Sequence, residues 1–462
     1  MIRLPSTALP RLAALLCTSA LTLPWLALPA GAKDPTYIGA VEAVAGPNAD
    51  NRARGTVFRD TNRNSRLDDG EAGIEGVLVS NGLEVVATDA TGYYELPAYD
   101  DMNVFITKPA GFVAPVNARQ VPQFAYVHKR AGSPPLRFGG IEATGPLPAA
   151  VNFPLIADDA GDRFDCLVFG DPQPYSNREI GFVRETAGRL LAARDNSETE
   201  CLLFEGDVMG DDLSLYRRFQ EVIAVGGVPQ YFVPGNHDLD FDATLDGDSF
   251  DTFRREWGPE YYSFDIGQVH FVVLDNVRYP CNGIDDHPFC DLSGKPDYNG
   301  VIAERQLQWL ANDLEKVPAD KLIVLNAHIP FVTFTNADNP KHQTDNLAAL
   351  VEIIGDRKTL GLAGHTHTTE QILPGENYAG WEAATGVGPQ RFHQIITGGL
   401  SGSWWAGDLN ERGIPHGTQR LGSPRGYYRI AFDGTDYVDT YLTFAGDERR
   451  QMHASFNTPR FR

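Results

Sequence analysis

Basic residues are scarce. The chain carries 39 Lys and Arg against 61 Asp and Glu, for a formal net charge of −22. A protein that grips a nucleic-acid backbone displaces counterions with a basic surface, so this balance argues against that class and leaves a nuclease disfavoured. It does not exclude a phosphate substrate, because bound cations can dominate the local field whatever the sign of the whole molecule. Long apolar runs are missing after the first 28 residues, so no later segment is long enough to span a bilayer. Cysteine is sparse, at five residues, and no two have Cys-x-x-Cys spacing, which excludes the usual zinc pattern. Internal repeats and low-complexity tracts are also absent. Apolar content of 42% and charged content of 22% are ordinary for a folded chain and exclude disorder as the main state. The length of 462 residues suggests several domains.

Residues 1–32 have the layout of a signal peptide. Arg3 and Arg11 make a basic start, Leu12 to Leu28 is mostly apolar, and Ala30-Gly31-Ala32 supplies a small-residue cleavage site. Pro24 and the small-residue end count against a membrane anchor. The expectation is a periplasmic or secreted protein, in a compartment that permits disulfides. Cys281 and Cys290 bracket a short polar loop and are the preferred pair. Cys166 and Cys201 each begin an apolar strand; they either bridge neighbouring strands or stay as buried thiols.

Three textures succeed a linker at 33–50. Residues 51–160 show short apolar runs broken by Gly, Asn and Asp turns, such as Gly76-Val-Leu-Val and Asn103-Val-Phe-Ile, which predicts a β-sandwich. The Thr88-Asp-Ala-Thr-Gly-Tyr-Tyr stretch resembles prealbumin-like modules. Residues 161–385 alternate strands with helices. Cys166-Leu-Val-Phe, Cys201-Leu-Leu-Phe, Tyr231-Phe-Val, His270-Phe-Val-Val-Leu, Leu322-Ile-Val-Leu and Leu360-Gly-Leu-Ala are the strands. Ile180, Val183, Ala187, Leu190 and Leu191 fall at helical spacing between the first two. Strands apolar throughout predict an α/β sheet covered on both faces. Residues 386–462 return to strands and turns and are expected to form a C-terminal β-rich domain, although His393-Gln-Ile-Ile-Thr could belong to the preceding sheet.

In the middle region the strands end in polar clusters. They are Gly170-Asp171-Pro-Gln173, Gly206-Asp207-Val-Met-Gly210-Asp211, Gly235-Asn236-His237-Asp238, Asn326-Ala-His328 and Gly364-His365-Thr-His367. Ligands gather at the carboxyl ends of strands in open α/β sheets. One such cluster alone reads best as a satisfied turn. Five in this order read as a binding centre of carboxylate, amide and imidazole groups suited to metal ions.

These ordered blocks, over Arg163 to His367 or roughly 200 residues, resemble those of the calcineurin-like metallophosphoesterases. Asp171-Pro-Gln173, Ser403-Trp404-Trp405 and Pro424-Arg-Gly426-Tyr427 resemble an exported branch with an N-terminal β-module and a C-terminal associated domain. The resemblance implies a central α/β/β/α sandwich and two divalent or trivalent ions, of Mn, Fe or Zn. It implies that Asp171, Gln173, Asp207 and His367 hold the first ion, and that Asp207, Asn236, His328 and His365 hold the second. It further implies attack on a phosphomono- or phosphodiester by a hydroxide bridging the metals, with His237 near the leaving oxygen and Asp238 orienting His237. The expected partner is a small-molecule or headgroup phosphoester. The sequence departs from the family twice: Gln173 stands where most members have His, and Gly210 where many have a second Asp. The competing class is a surface-binding or adhesion protein with a metal-loaded but slow central domain.

Weaker signals remain. Asp60, Asn62, Asn64, Arg66 (through its carbonyl), Asp68 and Glu71 have the spacing of a calcium loop, with Ser65 at the usual Gly position. A polar hairpin held by Asx-turns is the alternative. Trp404, Trp405 and Tyr427 are candidate substrate contacts, with core packing as the alternative. The loops 279–300 and 331–344 come after metal-bearing strands and contain His287 and His342.

Overall fold

The computed structural model describes residues 37–48, 50–158, 160–279, 297–335, 337, 339–401, 405–409, 415–418 and 425–444. The expected signal segment, Cys281, Cys290 and Trp404 lie outside the described residues. No helix among the described residues is long and apolar enough to cross a membrane.

Residues 42–157 form two small sheets. One has the order Glu42–Val44, Ala150–Ala157, Arg52–Arg59, Tyr93–Pro97, and the other Val85–Ala87, Leu78–Ser80, Asp101–Ile106, Ala125–Lys129. Alternate residues point to opposite faces of a strand. Ala53 and Val57 from the first sheet, and Val79 and Val104 from the second, therefore share one apolar cluster, as expected of a sandwich. The module is joined to residues more than 150 positions further along the chain: Thr107 Oγ1 meets Ser263 Oγ at 2.9 Å, with a sequence separation of 156, and Phe105 meets the Trp309 ring edge-on at 5.9 Å.

The central fold is built from β1 (Arg163–Phe169), β2 (Thr199–Phe204), β3 (Gln230–Phe232), β4 (Tyr262–Ile266), β5 (Val269–Val273), β6 (Leu322–Asn326), β7 (Thr359–Ala363), β8 (Thr369–Ile372), β9 (His393–Thr397), β10 (Gly426–Asp433) and β11 (Asp436–Thr443). One sheet runs β3-β2-β1-β10-β11 and the other β4-β5-β6-β7-β9-β8. The period-2 rule divides the side chains of β1 and β2. Phe164, Cys166, Val168, Cys201 and Leu203 join Phe271 and Val324 of the facing sheet. Leu167, Phe169, Leu202 and Phe204 pack against Ile180, Val183 and Phe219 on the outer helices. Aromatic rings bridge the sheets: Tyr231 of β3 stacks on Phe264 of β4 at 3.7 Å, and Phe432 of β10 meets Phe271 of β5 at 5.6 Å. The result is the expected α/β/β/α sandwich.

The first crossover helix begins at Asn177, where Ser176 Oγ accepts the Glu179 amide and the Glu179 side chain accepts the Tyr175 amide. It continues through a wider turn at Arg184–Gly188 to Ala193.

Strand pairing adds two findings. The described residues of 386–462 are strand-rich, and three of their strands enter the central sheets: β9 pairs in parallel with β7, and β10 pairs antiparallel with β1 and with β11. Long-range strand pairing is invisible to local composition. The cysteine question is also resolved on one side. Cys166 and Cys201, opposite one another on β1 and β2, form a disulfide with a Cα–Cα distance of 4.8 Å. The preferred Cys281–Cys290 pair lies outside the described residues.

Candidate metal centre

The carboxyl ends of β1, β2, β6 and β7 converge, and their polar clusters meet there. The backbone departs from ordinary geometry at this point. Asp171, Gln173, Asp207, His365 and His367 all have positive φ, at 43°, 40°, 46°, 71° and 54°. A non-glycine residue in this region costs about 1–3 kcal/mol and persists only where its surroundings enforce it. Five such residues at one place indicate that the turns are shaped for what the side chains hold. Gly235 fits the same logic, since a Cβ there would overlap the backbone and carboxylate of Asp207.

The seven expected ligands are brought together and buried. His328 Nε2 lies 3.1 Å from Asp207 Oδ1 and 3.2 Å from Asn236 Oδ1, and His365 Nδ1 lies 3.2 Å from His328 Nε2. His367 Nε2 is 3.3 Å from Asp171 Oδ1, whose carboxylate also accepts the His365 amide at 2.9 Å. The Gln173 amide reaches the Asp207 carbonyl at 2.9 Å, which ties the first two blocks together. Two ligand groups emerge, Asp207 with His328 and His365, and Asp171 with Asp207 and His367, each with its ligand atoms within 4.8 Å of one another. Asp207 belongs to both.

The chemistry of this donor set fits two cations. It is a concentration of acceptors: two carboxylates, two amide oxygens and three imidazoles. Gln173 Oε1 and His365 Nε2 are buried without a hydrogen-bond donor among the described residues. Such orphaned acceptors are costly unless something positive occupies the space between them. His328 Nδ1 donates to the Glu205 carbonyl at 2.8 Å, which leaves Nε2 facing the cage. The carboxylates and imidazoles of the cage bias one another's protonation. Burial opposes charge on His328, yet the neighbouring Asp207 carboxylate lifts it to about 9. Burial also opposes charge on Asp207, but His328 and His237 hold its carboxyl well below the usual range. Burial and the neighbouring His328 push His365 far down, toward the neutral form a metal requires.

A third acidic group, Asp101, Asp248 and Asp251, is already filled by a side chain. Lys129 Nζ sits 2.7, 2.6 and 2.8 Å from the three carboxylates.

His237 sits at the edge of the cage, with its amide on Asp207 Oδ1 at 2.8 Å. Asp238 does not orient it. The Asp238 carboxylate is buried and accepts the amides of Val208, Met209 and Gly235 at 3.0 Å each, and the Tyr216 hydroxyl at 2.9 Å. The tight turn at Asn236–Asp238 aims consecutive side chains in different directions, so Asp238 braces the β2 and β3 loops instead. The carboxylate that meets His237 is Asp211, with Oδ1 2.6 Å from Nδ1. Burial opposes protonation of His237, but Asp207 and Asp211 raise its pKa.

Other aromatic groups surround the cage. The Tyr175 ring lies edge-on to His237 at 5.8 Å, and the rings of Tyr298 and His342 stand 6.1 and 5.2 Å from His365. Sequence reasoning did not single out Tyr175 or Tyr298. Their nearness to the Asp171 block and to the long loop 279–300 was the available signal.

Tyr427 is not a substrate contact. It is buried in β10, with its ring 5.7 Å from Phe169 and 5.4 Å from Phe444. The side chain of Trp405 lies outside the described residues, although its backbone opens the strand Trp405–Leu409. In the Asp60–Glu71 loop, Asp60 is buried and accepts the amides of Asn64 and Ser65 as well as the Tyr37 hydroxyl. Asn62 and Asn64 both donate to Asp68 Oδ2, Glu71 accepts the amides of Thr61 and Asp68, and Arg66 donates its amide to Asn64. Ser65 takes φ 60°, the left-handed conformation that Gly usually supplies at that loop position.

Comparison with known proteins agrees with this geometry. The model of the calcineurin-like phosphoesterase domain matches residues 166–369, and the models of its N-terminal and C-terminal companion regions match 61–138 and 395–462. The chain is 26% identical over 177 residues to a probable glycerophosphodiester phosphodiesterase of Arcobacter nitrofigilis, covering 38% of this chain and 59% of that relative. It is 35% identical over 106 residues to a serine/threonine-protein phosphatase of Danio rerio, covering 22% of this chain and 29% of that relative. The match therefore spans less than two thirds of either relative. The structure of a purple acid phosphatase from yellow lupin seeds aligns with 89% of this chain and 71% of its own length, at 12% identity and a TM-score of 0.43. The match to the domain model runs from β1 through the last two imidazoles of the cage, and companion regions flank it on both sides. The chain belongs to the calcineurin-like phosphoesterases.

Proposed function

We propose that this chain is an exported, two-metal phosphoesterase that hydrolyses phosphomono- or phosphodiesters. The observation that carries the reading is the pair of buried ligand groups sharing Asp207, with orphaned acceptors on Gln173 and His365 beside them. Asp171, Gln173, Asp207 and His367 would hold one ion, and Asp207, Asn236, His328 and His365 the other. Bound there, such ions supply Lewis acidity and make water a nucleophile at neutral pH.

The chain's own residues do the remainder. Asp207 supplies negative charge between the two positions. The amide of Asn236 can donate to a phosphoryl oxygen while its own oxygen faces His328. His237, positively charged and at the rim, can deliver a proton to the departing oxygen. Gln173 in place of a His gives the first position a neutral oxygen donor, which suits a harder ion. The layout of residues 1–32 supports export. The same reading takes the Asp60–Glu71 loop as a calcium site, supported by its ligand spacing and by Ser65 adopting the glycine-like turn.

The test is purified protein loaded with Mn, Fe or Zn, assayed on nitrophenyl phosphate and bis-nitrophenyl phosphate, with metal analysis of the same sample. Turnover of either ester that disappears in Asn236→Ala, with the fold intact, supports the assignment. Full activity in Asn236→Ala, or no turnover with two metals bound, overturns it; the second outcome favours a surface-binding protein.

A further inference from the structure

The first crossover helix and the helix Tyr216–Ile223 lie side by side on the outer face of the sheet that contains β1 and β2, seated by Ile180, Val183, Phe219 and Ile223. Their solvent-facing sides leave a groove of about 870 Å³. Two glycines shape it. A Cβ on Gly181 would meet nothing within 4 Å, so the space above the first helix is open. A Cβ on Gly188 would stand 3.1 Å from Val222 Cγ1, so this position lets the two helices close up beneath the groove. At Arg184–Gly188 the helix loosens into its wider turn, a feature often found at functional sites.

The charge of the groove is opposite to that of the chain. Arg178, Arg184 and Arg189 line it from the first helix and Arg218 from the second, and all four are exposed. Its acids are Glu185 and Glu221, so four guanidinium groups against two carboxylates leave a net charge of +2, in a protein whose formal net charge is −22. Arg184 is answered by Glu185 at 3.3 Å. Arg178, Arg189 and Arg218 make no ion pair among the described residues. Glu221 comes three residues after Arg218, a spacing at which helical ion pairs form, yet that pair is not made. Arg178 is steadied instead by the Phe182 ring, 5.9 Å below its guanidinium.

A guanidinium presents a planar fork that matches the oxygens of a phosphate group. Arg178 and Arg189 lie roughly 15 Å apart along the helix axis, so one phosphate cannot satisfy both, and a chain of phosphates can. A large acidic partner would also set its remaining negative charge against the acidic remainder of this protein. A compact ligand with its charge confined to the groove avoids that repulsion.

We propose that this groove is a second ligand site, built for a compact molecule that carries several phosphate groups. Arg178, Arg189 and Arg218 hold the phosphates, and Val225, exposed at the rim of the second helix, offers an apolar edge. No residue of the metal cage lines the groove, so the proposal stands whether or not the phosphoesterase reading does.

The test is binding of inorganic tripolyphosphate to the full chain by titration calorimetry, after a chelator has removed metals so that no ion in the cage competes for phosphate. The expected result is one site per chain, with an affinity that falls as salt rises. Replacing both guanidinium contacts, in Arg189→Ala with Arg218→Ala, should weaken binding by about 10²-fold. Both residues are exposed, so this variant should keep the wild-type melting temperature. Gly181→Phe keeps all four arginines but fills the groove, and should weaken binding on the order of tenfold. No binding by wild type, or equal binding by wild type and the double arginine variant, overturns the proposal. A loss in the arginine variant with none in Gly181→Phe would mean a diffuse positive field rather than a groove, which also overturns it. Tighter binding of hexaglutamate than of tripolyphosphate would make the occupant an acidic protein segment and overturn the ligand class.

Discussion

His270 is the clearest case in which a buried charge can be traced from geometry to a measurement. It lies at the second position of β5 with no solvent exposure, clamped by Asp265 Oδ1 on Nδ1 at 2.7 Å and by Asp313 Oδ2 on Nε2 at 2.8 Å. Lys321 Nζ balances Asp265 at 2.6 Å, and Asp313 also accepts from Ser263 at 3.2 Å and Thr107 at 3.4 Å. Because Thr107 comes from the N-terminal module, the cluster is also a joint between that module and the central sheets. Burial opposes the charge, but the two carboxylates outweigh it and lift His270 from 6.5 to about 9. At about 1.4 kcal/mol per pKa unit, this corresponds to about 3 kcal/mol of folding free energy. The folded-state pKa is the raised one, so the contribution is complete below pH 6.5 and disappears as pH rises through about 9. His270→Gln leaves Asp313 without its cationic partner and should destabilise by about 3–5 kcal/mol at pH 6. Urea unfolding of wild type and variant, monitored by tryptophan fluorescence from pH 6 to pH 10, should show the gap narrowing by about 3 kcal/mol across that window. A gap that stays constant with pH would mean that His270 is neutral in the fold and would refute the reasoning. Activity below the melting temperature should be unchanged, since no residue of this cluster belongs to the metal cage.

Three further outcomes are expected. The Cys166–Cys201 disulfide closes a loop with a sequence separation of 35 residues, so the double Cys→Ala variant should lose about 3–4 kcal/mol in denaturant unfolding. Asp238→Asn places an amide against three backbone donors and should cost about 1–3 kcal/mol, read as a lower melting temperature of the metal-free protein. Gly235→Ala would drive a methyl group into the backbone and carboxylate of Asp207, and should abolish binding of both metals as measured by metal analysis.

The candidate metal cage was legible in the sequence because its chemistry belongs to residue types. Asp171, Asp207, Asn236, His328 and His365 come after apolar runs, and the end of a strand is where such residues can meet. The small apolar module at 51–160 was legible from its short alternating runs and frequent turns. Partnership was less legible wherever one residue position changes a direction. Asp238 comes immediately after His237 and looks like its natural partner, yet a tight turn aims it into the β2 loop; Asp211, distant in sequence, arrives through a left-handed backbone. Tyr427 offered the same aromatic signal as a substrate contact, but pairing of β10 with β1 buries it.

By itself the sequence determined the ligand chemistry, the order of the strands that carry it and the family. Only the tertiary structure decided that the C-terminal strands complete both central sheets, that Cys166 bonds Cys201, and which carboxylate holds His237. Each of these depends on register between distant segments or on the sign of a backbone angle, and neither quantity is set by the residues immediately alongside.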